Sequence, residues 1–354
     1  MSLLSLPGVI DAHVHLREPG ATHKEDIYSG TVAALAGGVI GVLDMPNNVP
    51  SIVDRRTLLR KEKLFETKAV TDYGLFLGYD GGDVSSLITL SSRVVGLKLY
   101  LDETFGNMTM RAPEELVRVF EAWPGPGPIA IHAGSRSIDV ALRLADRYKQ
   151  QLHVCHVPHP KDLLRIDKAR QHGVKVTCEV TPHHLFLSTE DGLRLGPYGF
   201  TKPPLVSPSE VALFWQHLDL VDVIATDHAP HTRAEKDSAN PPPGVPGLET
   251  MLPLLLGAVD EGRLTLERMV DLIHHNPLRI YHLALPSDSC IEVLMGEPYR
   301  LPKDGYRTRC GWSPFAGKRA CGRVARVRLR GKIAWSDGEV TVAPGYGQPL
   351  LRSV

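Results

Sequence analysis

Two histidines near the N-terminus, His13 and His15, have the spacing to bind one metal ion together. They close an apolar run that begins at Val9 and is typical of a short strand. Side chains two residues apart in a strand point to the same face, so both imidazoles would be presented together. Two incidental histidines would give the same pattern, and the pair alone leaves both interpretations open.

Further metal-binding residue types recur where other apolar runs end. Each of them alone is compatible with a buried histidine, a strand-end salt bridge or a cap. Together with His13, His15 and Lys98 they occupy the same end of six predicted strands, which favours a metal centre. These residues are His132, Cys155, His156, Cys178, Glu179, His183, His184, Asp227, His228 and His231.

Lys98 lies inside an apolar run, residues 94–101, where an ammonium group is costly unless it is paired or modified. Burial lowers the pKa of a lysine and leaves a nucleophilic amine. Such an amine can add carbon dioxide to form a carbamate, an anion that can bridge two divalent ions. A buried ion pair with an aspartate is the alternative interpretation.

Eight apolar runs alternate with helical patterns, as is typical of a parallel sheet. Eight such units predict a (β/α)8 TIM barrel, in which the working residues lie at the carboxyl ends of the strands. A doubly wound open sheet is the alternative, although no Gly-x-Gly-x-x-Gly loop supports it. The predicted strands are 9–16, 39–45, 73–78, 94–101, 129–133, 152–157, 174–180 and 223–226. The predicted helices are 29–36, 56–66, 113–123, 138–150, 161–172 and 209–218.

The C-terminal part of the chain has a different character. Residues 323–335 alternate between apolar and polar positions, and Asp337-Gly338 is a hairpin signal. We therefore predict a barrel over residues 9–285 and a small β domain built from residues 1–8 and 286–354. The arginines of the alternating run, and the basic helix positions that include Lys61, are interpreted as solvated faces.

Charge and composition exclude several classes of protein. The 354 residues carry 40 basic and 40 acidic side chains, so no global charge points to nucleic acid or a membrane surface. No apolar run reaches the about 20 residues of a transmembrane helix, and the N-terminal run lacks the basic region of a secretory signal. Five cysteines without a Cys-x-x-Cys pair argue against a disulfide framework. These features predict a protein of the reducing cytoplasm.

Four stretches make the sequence recognisable. They are Asp-Ala-His-Val-His-Leu-Arg-Glu-Pro-Gly (11–20), Gly-Leu-Lys-Leu-Tyr (96–100), Thr-Cys-Glu-Val-Thr-Pro-His-His-Leu-Phe-Leu (177–187) and Ala-Thr-Asp-His-Ala-Pro-His-Thr (225–232). They resemble the signatures of the dihydroorotase family of cyclic amidohydrolases. Residues 241–256 and Trp-Ser-Pro-Phe (312–315) are most similar to the branch found as a domain of the animal multifunctional pyrimidine-synthesis protein. The resemblance implies an enzyme that reversibly cyclises N-carbamoyl-L-aspartate to L-dihydroorotate in de novo pyrimidine (UMP) biosynthesis.

The resemblance also implies a binuclear zinc site. The first ion would be bound by His13, His15, carbamylated Lys98 and Asp227. The second ion would be bound by Lys98, His132 and His156. A third zinc, suggested by the animal-type branch, would lie near Cys155, Glu179 and His184. The sequence leaves the choice between two and three ions open.

In the implied mechanism, a hydroxide that bridges the two zinc ions attacks the scissile ring amide. Asp227 would hold the hydroxide's proton and deliver it to the departing ring nitrogen, acting as general base and then as general acid. In the reverse direction the same carboxylate would deprotonate the ureido nitrogen of carbamoyl aspartate as the ring closes.

The substrate's carboxylate requires a cation, and Arg17 lies two residues beyond His15 on the same strand face. A surface salt bridge with Glu18 or Glu25 is the alternative interpretation of Arg17. The resemblance adds further substrate-binding positions: Asn47, Thr104, Phe105, Lys202, His231, Pro243 and Gly244. Thr104 and Phe105 would belong to a mobile loop, and Pro243 and Gly244 would act through their backbone. Lys202 stands where the animal-type branch has an arginine. Lysine keeps the positive charge but lacks the planar guanidinium, which can donate two parallel hydrogen bonds to one carboxylate.

Two other functions stay open on the sequence. Another cyclic amidohydrolase, an allantoinase or a dihydropyrimidinase, generally lacks an arginine at the position of Arg17. A catalytically dead assembly subunit would have lost metal ligands, and every expected ligand of the zinc pair is present. The resemblance also implies a homodimer and an association with aspartate transcarbamoylase.

Overall fold

The computed structural model describes residues 2–103, 108–110, 112–286 and 288–352. Eight of its strands form one parallel sheet in chain order, from β2 to β9. The strands are β1 (Ser2–Pro7), β2 (Val9–Val14), β3 (Val39–Asp44), β4 (Asp72–Gly78), β5 (Gly96–Tyr100), β6 (Ile129–His132), β7 (Leu152–Val154), β8 (Val176–Val180), β9 (Val223–Ile224), β10 (Leu283–Ala284), β11 (Cys290–Met295), β12 (Tyr299–Arg300), β13 (Arg319–Ala320), β14 (Arg323–Leu329), β15 (Lys332–Ser336), β16 (Glu339–Val340) and β17 (Leu351–Arg352).

The eight parallel strands confirm the predicted (β/α)8 barrel. Almost every residue in them is buried, as expected when helices cover the outside and side chains fill the interior. β2 and the segment after β9 close the ring through a parallel bridge between Val14 and His228. The buried Asp11 carboxylate reinforces this closure, because it accepts the Thr226 N–H at 3.0 Å and the Thr226 hydroxyl at 2.6 Å.

Helices follow the barrel strands at all six predicted places. Their starts have local causes: Asp26, Asp54 and Ser207 cap α1, α2 and α9 by accepting backbone N–H groups of the first turn. The helices are α1 (Ile27–Ala36), α2 (Arg55–Lys68), α3 (Ser85–Leu90), α4 (Pro113–Ala122), α5 (Ser135–Tyr148), α6 (Pro160–Gln171), α7 (Pro182–Phe186), α8 (Thr189–Leu195), α9 (Pro208–Gln216), α10 (Arg233–Lys236), α11 (Met251–Asp260), α12 (Leu266–Val270) and α13 (Asn276–Ile280). Within the described ranges, none of these helices has the length and apolar character needed to span a membrane.

A second, antiparallel sheet has the order β1-β11-β14-β15-β16. β1 pairs with β11 along its whole length, so the N-terminal strand joins the sheet of the C-terminal segment. β15 and β16 are joined by Asp337 and Gly338, whose positive φ angles of 53° and 83° are those of the expected tight hairpin turn.

The C-terminal segment also packs on both ends of the barrel. At the amino end, the Tyr73 N–H donates to Gln348 O and Tyr73 O accepts the Leu350 N–H. At the carboxyl end, the Trp312 indole N–H donates to His231 O at 2.8 Å. Because these contacts cross the predicted boundary, the division into residues 9–285 and a separate β domain stays a prediction.

The interpretation of Lys61 as part of a solvated helix face was wrong. Lys61 is 1% exposed, and its Nζ pairs with Asp44 and donates to Glu18 O at 2.6 Å and Asn48 Oδ1 at 2.8 Å. The three acceptors come from the ends of β2 and β3 and offset the cost of burying the ammonium group. Lys61 therefore braces the two loops that carry Arg17 and Asn47.

Candidate active site and metal centre

One pocket lies at the carboxyl ends of the barrel strands. It brings together many residues that the sequence placed at strand ends, and it adds Tyr100, Thr201, Ala229 and Val245. The lining residues are His13, His15, Arg17, Asn47, Tyr100, His132, His156, His183, Thr201, Lys202, Asp227, Ala229, Pro243, Gly244 and Val245. Thr104 and Phe105 lie outside the described residues.

Asp227 is the centre of the donor cluster. Its Oδ1 lies 3.4 Å from His13 Nε2 and 3.1 Å from His15 Nε2. Although burial raises the pKa of Asp227, the neighbouring histidines His13 and His15 outweigh it and hold the pKa well below its ordinary value. Asp227 adopts a φ of 47°, an uncommon conformation for a residue with a side chain.

The Nδ1 atoms of His13 and His15 each have a partner that fixes the orientation of the ring. His13 Nδ1 lies 2.5 Å from Glu179 Oε1, and His15 Nδ1 lies 2.7 Å from Asn47 Oδ1. With a proton on each Nδ1, Nε2 is the ring nitrogen that faces Asp227 and would be available to a cation. A second partner that fixes the ring and its tautomer is typical of histidines that bind metals.

Burial and nearby charges shift the pKa values of these histidines in different directions. Burial and Lys98 lower the pKa of His13, but Glu179, Asp227 and Cys155 outweigh them and raise it to about 10. Burial lowers the pKa of His15 to about 4, against the opposing effect of Asp227. Burial and Lys98 lower the pKa of His132 to about 3. An environment that favours a proton on His13 is also one that favours a metal cation.

His132 and His156 form the other side of the cluster. His132 Nδ1 lies 3.0 Å from His156 Nε2, and the rings of His13 and His156 are 5.3 Å apart. The buried Nδ1 of His156 has no hydrogen-bond partner among the described residues. Ligand atoms of His13, His156 and Asp227 all lie within 4.8 Å of one another. Imidazole and carboxylate donors at this spacing fit a divalent cation.

Lys98 is fully buried beneath this cluster. Its Nζ donates to Cys155 Sγ at 2.9 Å and lies 5.3 Å from the Tyr100 ring centroid. In the described ranges it forms no ion pair with a carboxylate, contrary to the alternative of a buried lysine–aspartate pair. A buried amine without an anionic partner fits conversion to a carbamate.

A second group of possible ligands consists of His13, Cys155 and Glu179. Glu179 also lies 3.1 Å from His153 Nε2 and accepts the His156 N–H at 3.1 Å. The structure does not bring His184 into this group. Its Nδ1 contacts Thr181 Oγ1 at 2.8 Å and its Nε2 lies 3.2 Å from Pro204 O.

His153 and His183 are site residues that the sequence analysis left without a role. His183 lines the pocket, and its buried Nε2 has no partner among the described residues. The one available signal for His153 was its position inside a short apolar strand, where a polar ring needs a partner.

Arg17 lines the same pocket and is 8% exposed. Its Nε donates to Pro230 O at 3.1 Å, and its Nη2 lies 3.1 Å from His231 Nε2. It makes no ion pair in the described part of the chain, so the alternative of a salt bridge with Glu18 or Glu25 is not found. A buried guanidinium without a counter-ion, facing a pocket, is a site for an anion.

His231 and the backbone at Pro243 and Gly244 form the part of the site next to Arg17. His231 Nε2 lies 2.9 Å from Pro243 O, and burial together with Arg17 and Lys24 holds the pKa of His231 well below its ordinary value. Gly244 has a φ of 130°, and a Cβ there would stand 2.6 Å from Ala229 O. The chain therefore approaches the pocket at a position where only glycine fits.

Fold and site together define the class: the chain is an amidohydrolase TIM barrel. The L-hydantoinase of Arthrobacter aurescens superposes with a TM-score of 0.93, at 24% identity, over 99% of this chain and 89% of the hydantoinase. The inactive dihydroorotase-like domain of the Chaetomium thermophilum CAD-like multifunctional protein superposes with a TM-score of 0.83, at 26% identity, over 99% of both chains.

Within that class the chain belongs to the dihydroorotase family. The dihydroorotase of Pyrococcus furiosus is 35% identical over 364 residues, which cover 98% of this chain and 85% of that protein. The family model described as dihydro-orotase-like matches residues 2–86. The multifunctional protein CAD of Squalus acanthias is 46% identical over 349 residues, 98% of this chain. The chain spans 16% of the length of that multifunctional protein.

Proposed function

We propose that this chain is a dihydroorotase, which reversibly cyclises N-carbamoyl-L-aspartate to L-dihydroorotate in pyrimidine biosynthesis. The observation that carries the proposal is the buried Arg17, which has no ion pair among the described residues and lines the same pocket as a histidine–aspartate donor cluster. The cluster suits hydrolysis of a cyclic amide, and the guanidinium suits the carboxylate that distinguishes dihydroorotate from dihydrouracil. The names of the relatives agree with this assignment.

The residues present fit a zinc pair. His13, His15 and Asp227 would bind the first ion, and His132 and His156 the second, with Lys98, as a carbamate, completing the ligand set. Bound zinc would supply a Lewis acid for the ring carbonyl and a water molecule that is acidic at neutral pH. Glu179 and Asn47 would keep His13 and His15 in the orientation and tautomer that present Nε2.

Asp227 is the residue that we assign to proton transfer. Its Oδ1 lies between the two histidine nitrogens, on the floor of the pocket, and its carboxylate is anionic in this environment. In hydrolysis it would hold the proton lost by water and deliver it to the leaving ring nitrogen. In cyclisation it would take the proton of the ureido nitrogen.

Arg17, Asn47 and His231 would bind the substrate carboxylate, and Lys202 with the backbone at Pro243 and Gly244 would contact the rest of the ring. All six line one pocket or border it through contacts with lining residues. Thr104 and Phe105 stay a prediction from family likeness, as the loop that would cover the substrate.

A third zinc remains a proposal, with a donor set that differs from the expected one. His13, Cys155 and Glu179 lie close enough to share an ion, whereas His184 is bonded elsewhere. The homodimer, the association with aspartate transcarbamoylase and the cytoplasmic location are likewise proposals. The name of the multifunctional relative supports a multifunctional assembly as the context of this chain.

The inactive-subunit alternative has a related structure in its favour, because the Chaetomium thermophilum domain is described as inactive. It predicts gaps in the donor set. The structure instead brings His13, His15, His132, His156 and Asp227 to one pocket above Lys98. We therefore favour an active enzyme.

The assignment is tested by comparing three substrates, L-dihydroorotate, dihydrouracil and allantoin, on wild type and Arg17→Met. We expect wild type to prefer dihydroorotate. Arg17→Met should raise its KM roughly 100-fold, because a charged hydrogen-bonded partner of the carboxylate is lost. The exposed Arg60→Met is the matched control. Faster turnover of dihydrouracil or allantoin by wild type, or an unchanged KM in Arg17→Met, would reject the assignment.

A further inference from the structure

A buried carboxylate outside the donor cluster, Glu25, connects the C-terminal segment to the catalytic wall. Glu25 is fully buried just before α1. It accepts hydrogen bonds from the hydroxyls of Ser29 and Thr308, and from the Arg309 N–H at 3.2 Å and 3.3 Å. Its Oε2 lies 3.5 Å from His228 Nε2.

His228 is the residue that this carboxylate would orient. The Gly247 N–H donates to His228 Nδ1 at 3.2 Å, so a neutral ring carries its proton on Nε2, on the side of Glu25. Apart from Glu25, Nε2 has no partner among the described residues. The imidazole is therefore held from one side by the backbone and from the other by the carboxylate.

The backbone of His228 is hydrogen-bonded to two neighbouring strand ends of the site. Its N–H donates to Thr226 Oγ1 at 2.9 Å, and its carbonyl accepts the His15 N–H at 2.8 Å. The preceding residue is Asp227, in its left-handed conformation. A displacement of His228 would move both Asp227 and His15, which meet at 3.1 Å.

We propose that Glu25 is a positioning residue, which acts through His228 to hold Asp227 and His15. This inference rests on the proposed function.

A purely structural role, anchoring of residues 307–309, is the competing explanation, and the chain offers a matched control for it. Glu249 holds the same segment by accepting the Arg307 N–H at 2.8 Å and the Thr308 N–H at 2.9 Å. Those bonds do not involve the His228 ring. If anchoring were all that mattered, removal of either carboxyl group would have the same effect.

The experiment compares zinc-loaded wild type with four single variants, Glu25→Gln, Glu249→Gln, His228→Asn and His228→Gln. We expect Glu25→Gln and His228→Asn to lower kcat about 10-fold to 100-fold with little change in KM. Glu249→Gln should retain kcat. His228→Gln, whose amide can still donate toward Glu25, should recover part of the loss. The double variant Glu25→Gln/His228→Asn should be no slower than the slower single variant, because both act on one contact.

A second readout separates this inference from the proposed function. The rate at which a chelator removes zinc should rise in Glu25→Gln and His228→Asn, and stay unchanged in Glu249→Gln, whatever the substrate. If wild type does not turn over dihydroorotate, the proposed function fails while the chelation rates still test the positioning role. Wild-type kcat and zinc retention in Glu25→Gln, equal losses in Glu249→Gln, or additive losses in the double variant would overturn the inference.

Discussion

Asp227→Asn is expected to lower kcat for dihydroorotate hydrolysis by about 10³-fold or more. The asparagine side chain has nearly the same size and can still lie between His13 and His15, but it cannot accept and return a proton. It also removes the negative charge that the cluster would offer to a cation. Both losses affect the chemical step, so kcat should fall much more than KM rises.

The measurement is steady-state kinetics in both directions, with the zinc content of each preparation determined in parallel. Asp237→Asn is the control, because Asp237 is an exposed aspartate ten residues further along the chain. The assignment of proton transfer would be wrong if Asp227→Asn, loaded with the same zinc as wild type, kept kcat within a few-fold in both directions.

Lys98→Ala is expected to abolish measurable turnover and to lose most of the bound metal. Lys98 is buried below the cluster with a thiol as its hydrogen-bond partner, and the proposed carbamate on its Nζ would supply the anion that links two ions. Without it, four neighbouring histidines and one carboxylate would have to hold two divalent charges. Alanine also leaves space in which a small carboxylate could take the place of the carbamate.

A rescue experiment separates the carbamate from a simple structural role of the lysine. Addition of a short-chain carboxylate such as acetate or propionate should restore part of the zinc content and activity to Lys98→Ala. The exposed Lys63→Met should behave as wild type, since its side chain is 74% exposed. If Lys98→Ala keeps full zinc and full activity, the carbamate bridge is excluded.

The barrel and most of the donor cluster could be predicted because their signal is local. Strands buried on both faces give continuous apolar runs, and the parallel topology brings the ends of those runs to one place. His13, His132 and His156 follow from this rule without knowledge of any long-range contact. The hairpin at Asp337-Gly338 was equally local, because its two positive φ angles require those residue types.

The sequence pattern does not predict which ring of the pair His183 and His184 faces the pocket. Successive residues on a helix point about 100° apart, so one ring of a neighbouring pair can face the pocket while the other faces away. The structure turns His183 to the pocket and bonds His184 to Thr181 and Pro204 O. That choice depends on how α7 leaves β8, which the sequence pattern does not specify.

Lys61 and Glu25 could not be interpreted correctly from the sequence for a related reason. Lys61 lies in α2 and Glu25 in the loop before α1, and a solvent-facing position is the usual expectation for a charged residue in either place. Their partners lie on separate segments: Asp44 and Asn48 for Lys61, and Thr308 and Arg309 for Glu25. Only the folded chain shows that these charges are buried and paired.

A zinc-dependent dihydroorotase should lose its activity with its metal and regain it with zinc. The measurement is turnover of L-dihydroorotate by the wild-type chain, first metal-stripped and then reloaded with zinc, with bound zinc counted in both states. We expect negligible turnover without metal, and clear hydrolysis once about two or three ions are bound per chain. Full zinc occupancy with no turnover of dihydroorotate, or equal turnover in the stripped protein, would contradict this expectation.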